Sequence, residues 1–178
     1  MKTIVECITE AREDNSAREE LREILRRKAG DQRASDRMKE ISKFTLKSVL
    51  GKGQEGVCVK TSDGRVLKVY YGEMPVCISM LAAACRFMTP KCLPKIEKGD
   101  HWILRDEYKT KTSKCREYAS QARKYMKGGK IIDKTHKQWL ETANYELSEI
   151  GACPLYQADI KLDNFGEDKK GNIVLIDF

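Results

Sequence analysis

The chain has 178 residues, enough for one compact domain with an appendage rather than two large independent cores. Hydrophobic residues at 40% and charged residues at 34% place it among globular proteins, and 34 Lys and Arg against 27 Asp and Glu, a formal +7, favour anionic partners. Seven cysteines without a CxxC pair argue against a zinc site or a disulfide framework; a charged N-terminus and a longest apolar run of only residues 80–85 argue against a leader or a membrane span.

In chain order, residues 8–45 are rich in helix formers, with Leu21, Ile24 and Leu25 at helical spacing and Met38 and Ile41 in a second short stripe. Gly30 and Asp31 divide this arm into two helices. Its narrow apolar stripe fits packing on the main domain; the alternative is a basic helix that meets RNA, DNA or a partner protein. From Thr45 the period changes to two, and TLKSVL, GVCVKT and RVLKVYY read as strands, the last two joined by a turn at Ser62, Asp63 and Gly64. A helix over 74–88 follows, entered at Pro75 and ended before Pro90, and CLPKIEKG and HWILRDEY form another antiparallel pair turning at Gly99 and Asp100. The pattern then becomes helical over 112–127, with a loop at Gly128 and Gly129. A second helix presents Trp139, Leu140, Ala143, Leu147 and Ile150 inward, and Cys153 and Pro154 break it. The tail reads as a polar loop and a strand, NIVLID. The expected class is α+β, with a five-stranded antiparallel sheet plus one helix, then a helical region.

Four local signals carry chemistry. GKGQEG places Gly51, Gly53 and Gly56 between two strands, where a hairpin can pass close to phosphates with its amides facing them. Neither a P-loop Gly-Lys-Ser/Thr nor a following helix is present, so the string is not one of the two common phosphate fingerprints. Lys68 and Val66 share one face of an alternating strand, which puts a lysine among apolar neighbours. A snorkelling surface lysine is the plainer reading of that residue alone. ADIKLDNF crowds Asp159, Lys161, Asp163 and Asn164 into one loop, and Asp177 ends an apolar strand where an acid can meet a metal or phosphate.

Taken in order, these signals resemble the protein kinase superfamily across residues 45–178. Gly51, Gly53 and Gly56 match its glycine-rich loop, with Cys58 at a usual valine; Val66 and Lys68 match V-A-I-K; Asp159, Lys161 and Asn164 match H-R-D-x-K-x-x-N; Asp177 and Phe178 match the start of D-F-G. The resemblance implies a two-lobed fold: a helical extension over 1–44, an N-lobe with hinge over 45–108, and a partial helical C-lobe over 109–178. It implies ATP held by the glycines, Cys58, Val66, Lys68 and hinge residue Glu107 of residues 105–108. Asn164 and Asp177 would hold Mg²⁺, while Asp159, Lys161 and Lys68 would serve transfer to a protein Ser/Thr hydroxyl. Asp163 reads as loop structure.

Departures accompany the match. The helix over 74–88 has no glutamate for Lys68, and Gln157 and Ala158 stand at the His and Arg of the catalytic loop. The sequence stops at Phe178, before an activation segment, which fits a truncated or abbreviated member. The style resembles small kinases of bacteriophages and bacterial effector systems, implying a cytoplasmic location, the host's for a phage product. Alternatives are a nucleotide-binding pseudokinase or regulatory module without turnover, and a small-molecule kinase of the aminoglycoside-phosphotransferase type. A protein substrate or regulatory protein is the expected partner. Nucleic acid is the weaker one, since the basic run over 109–130 interleaves only Tyr118 and Tyr125.

Overall fold

The computed structural model describes residues 3–87, 89–131, 133–152, 155 and 161–176. The chain forms two compact units, Met1–Pro75 with Ile96–Asp106, and Val76–Lys95 with Glu107–Phe178. The fold is mixed α+β, with an N-terminal antiparallel sheet plus helices and a more helical C-terminal region.

The first unit opens with α1, Ile4–Ala29, and α2, Asp31–Glu40. A capping box starts α1: the Thr3 hydroxyl accepts from the Glu6 amide, and the Glu6 carboxylate accepts from the Thr3 N–H. Gly30 separates the helices with φ 88° and ψ 163°, a backbone region that only glycine enters without strain. Strands β1 (Leu46–Lys52), β2 (Gly56–Thr61), β3 (Val66–Tyr70), β4 (Ile96–Lys98) and β5 (Trp102–Arg105) form a sheet in the order β1-β2-β3-β5-β4, antiparallel throughout.

Alternation gives this sheet two different faces. Val57, Val59, Leu67, Val69, Trp102 and Leu104 are buried in one cluster with Ala17, Leu21 and Leu25 of α1 and Ala34 and Met38 of α2. The apolar stripe of the N-terminal arm therefore completes the core of the sheet. Arg37 locks α2 in place: it is buried, and its guanidinium donates to the carbonyls of Tyr70 and Gly72. At the β2–β3 turn, Arg65 and Thr61 donate to Asp63 and hold its carboxyl down at about 2. That folded value lies below the ordinary one, so the contribution is complete above about pH 4 and is lost as pH falls through about 2.

The second unit contains α3 (Val76–Ala84), α4 (Ser113–Met126) and α5 (Lys134–Glu149). Thr112 and Asp133 cap α4 and α5 through the amides of Cys115 and His136. A small antiparallel sheet joins β6 (Lys109–Thr110), β7 (Phe165–Glu167) and β8 (Ile173–Leu175) in the order β6-β7-β8. Here the tail departs from expectation: residues read as a polar loop supply β7 and a 3-10 turn at Leu162–Asn164. The core stacks Tyr118 edge-on to Trp139 at 5.3 Å and Trp139 against Phe165 at 5.8 Å, with Trp139 Nε1 donating to the Ile173 carbonyl. Glu146 of α5, buried, accepts from three successive amides, those of Lys91 at 2.7 Å, Cys92 at 2.9 Å and Leu93 at 3.1 Å. Among the described residues, no helix is long and apolar enough to cross a membrane.

Candidate functional site

The face of the first sheet opposite α1 and α2 carries the nucleotide-site candidates of that unit. Lys68 pairs across β2 with Cys58 and across β5 with Ile103, and Val66 lies two residues away on the same strand. Antiparallel pairing and the two-residue period bring Cys58, Val66 and Lys68 onto one face. The Lys68 side chain is only 16% exposed, and its ammonium lies 5.0 Å above the Tyr70 ring.

The ammonium also lies 3.6 Å from the carboxylate of Glu55. The helix after β3 holds no glutamate for this lysine, and the glycine turn supplies a carboxylate from another place in the sequence. Glu55 is the one acid in GKGQEG, and that was the available signal in the sequence. The turn is closed by the Gly53 amide donating to the Gly56 carbonyl at 2.8 Å. The Tyr71 amide donates to the Glu55 carbonyl, also at 2.8 Å, and ties the turn to the end of β3.

The three glycines are not equivalent. A Cβ on Gly56 would stand 2.4 Å from the Val69 carbonyl oxygen, so β2 and β3 can approach only with glycine there. A Cβ on Gly51 would meet nothing within 4 Å, and one on Gly53 only the Gly56 carbonyl at 3.7 Å. Packing therefore requires Gly56 and leaves Gly51 and Gly53 unexplained by the protein's own atoms. Gly56→Ala is expected to cost about 1–3 kcal/mol through overpacking, whereas Gly51→Ala should stay within about 0.5 kcal/mol of wild type. Thermal unfolding of the two variants checks the difference.

In the second unit, Asn164 closes the 3-10 turn, its amide donating to the Lys161 carbonyl at 3.2 Å. The amide of Ile176, the residue before Asp177 in sequence, donates to the Asn164 carbonyl at 2.7 Å. Two of the residues assigned to metal and catalysis thus flank one short turn, and the strand leading to a third is hydrogen-bonded to it. Asp163 pairs with Lys111 at 3.2 Å between exposed side chains, in keeping with a loop-structural part. Glu107 is exposed and stands where the chain enters the second unit after Asp106. Asp159, Asp177 and Phe178 lie outside the described residues, as do Gln157 and Ala158. Among the described residues, no group of three or more His, Cys, Asp or Glu side chains could hold a metal ion.

The sequence reading also passed over two features of this architecture, a cluster of arginines between α1 and α2 and the buried carboxylate of Glu146. Both had a signal, since Arg18, Arg22 and Arg26 recur at every fourth position and Glu146 falls three residues after the buried Ala143. Comparison of the sequence with protein-family models and with curated proteins gives no match.

Proposed function

We propose that this chain is a kinase-like phosphotransferase that uses ATP and Mg²⁺ to phosphorylate a protein Ser/Thr hydroxyl. The observation that carries the reading is Lys68, a largely buried ammonium aligned with Cys58 and Val66 on one sheet face, paired to a carboxylate of the glycine turn. Gly51 and Gly53 fit that reading, because among the described residues a side chain at either position would meet no closer neighbour than the Gly56 carbonyl, 3.7 Å from a Cβ on Gly53.

Lys68 holds the α- and β-phosphates, a fixed positive charge where negative charge accumulates. Cys58 and Val66 pack against the base, and the backbone at Glu107 offers it hydrogen bonds. Asp159 orients the acceptor hydroxyl and takes its proton as the oxygen bonds to the γ-phosphorus and the bond to the ADP oxygen breaks. Lys161 offsets charge on the transferring group. Asn164 and Asp177 would hold the metal, whose contribution is to neutralise phosphate charge.

The test is Mg²⁺-dependent ATP turnover by the purified chain with casein or a basic protein as acceptor, in wild type, Asp159→Asn and Asp177→Asn. Measurable turnover that falls by about 100-fold or more in both variants is the expected result. ATP binding without turnover would favour a nucleotide-binding regulatory module, a second reading to which the Glu55 contact on Lys68 lends weight. Neither binding nor turnover would overturn both.

A further inference from the structure

Between α1 and α2 lies a cavity of about 530 Å³, within the size range of small-ligand sites. Its walls carry Arg18, Arg22 and Arg26 from α1 and Lys39 from α2, with the hydroxyls of Ser35 and Ser42 beside them. The three arginines are four residues apart, so each stands about 6 Å along the helix from the next on one face. Among the described residues, Asp31 is the one carboxylate that lines the cavity.

The four cations differ in how they are held. Arg18 is structural: it pairs with Asp14 at 2.7 Å and donates to the carbonyls of Ser42 and Phe44, which fixes one wall. Arg26 is shared between Glu23 at 3.1 Å and Asp31 at 3.8 Å, and its side chain is more than half exposed. Arg22 and Lys39 form no ion pair among the described residues, so two of the four cations are left to meet an incoming anion. Guanidinium forks match the paired oxygens of phosphate and carboxylate alike, and where several cations meet the higher charge of a phosphate group favours it. The positive region is short: toward its N-terminus α1 turns acidic, with Glu6, Glu10, Glu13 and Asp14. A long polyanion laid along α1 would run into those carboxylates, whereas a compact anion would not.

We infer that this cavity is a second anion site that binds a compact phosphate-bearing group, distinct from the Lys68 face of the sheet. Two sources supply that chemistry, a free oligophosphate and a phosphorylated side chain of a protein segment. The experiment titrates the full chain at physiological ionic strength with pyrophosphate, with a phosphoserine peptide and its unphosphorylated twin, and with a single-stranded oligonucleotide. Each titration is repeated on the double variant Arg22→Glu/Lys39→Glu and on Lys68→Ala. Since Arg22 and Lys39 are exposed, the double variant should keep the wild-type circular dichroism spectrum. The expected result is binding of pyrophosphate or the phosphopeptide that weakens by about tenfold or more in the double variant and persists in Lys68→Ala. The tighter of those two probes identifies the source. Binding unchanged in the double variant, binding lost only in Lys68→Ala, no binding of either phosphate probe, or much tighter binding of the oligonucleotide would each overturn the assignment.

Discussion

Lys68→Ala is expected to lower ATP turnover by about 100-fold or more and to weaken nucleotide binding, while leaving the sheet folded. The ammonium is a single fixed charge with most of its stem covered, and neighbours on both adjacent strands hold it in place. Lys68→Met keeps the stem and removes the charge, so equal losses in the two variants would assign the effect to charge. Lys68→Arg should not restore activity, because a planar fork does not replace a point charge in a fitted position. Glu55→Gln should act in the opposite direction. On the proposed reading the Glu55 carboxylate competes with the phosphates for Lys68, so its neutralisation is expected to tighten ATP binding by a few-fold, the scale of an exposed ion pair. ATP titration of the four variants checks the set; no change in Lys68→Ala would remove this lysine from the mechanism.

Glu146→Ala is expected to destabilise the second unit by about 3–5 kcal/mol, a cost on the scale of truncating one of its buried aromatic rings. Its carboxylate caps the amides of Lys91, Cys92 and Leu93, and alanine would leave the buried amides of Cys92 and Leu93 without an acceptor. Glu146→Gln should cost less, because the amide oxygen can still serve part of the set. Trp139 lies in the second unit and Trp102 in the first, so fluorescence of single-tryptophan variants reports the unfolding of each unit by itself. Cys92 gives an independent reading. Burial pushes its thiol up to about 12, with the Glu146 charge adding to the shift, so labelling of Cys92 stays slow until this contact opens. Faster labelling together with a lowered urea midpoint for the Trp139 transition is the expected pair of results.

The first sheet was readable because alternation is unambiguous where one face is buried: Val57 and Val59, then Leu67 and Val69, mark the inner face by a two-residue period. The second sheet was not. Lys109–Thr110 is too short to show a period, and Phe165–Glu167 follows a polar stretch, so its pairing is decided by tertiary packing under Trp139 rather than by local pattern. Helix α3 fell inside its forecast span, but regular structure covers only Val76–Ala84. In the candidate site, Lys68 stood out as a charge among β-formers. Its partner Glu55 did not, because a turn acid gives no sign of which way its carboxylate folds. Glu146 was masked by its chemistry: at an inward helical position a carboxylate reads as surface unless the amides it will meet, more than 50 residues earlier, are known.

The sheet's inner face is covered by helices made before the strands themselves. Leu21 and Leu25 belong to one cluster with Trp102 and Leu104, about 80 residues further along the chain. During synthesis α1 and α2 therefore emerge with their apolar stripe uncovered and no finished surface to receive it. The cluster is complete only once β5 has brought in Trp102 and Leu104, so the last of its contacts close a far longer stretch of chain than the turns within its helices do.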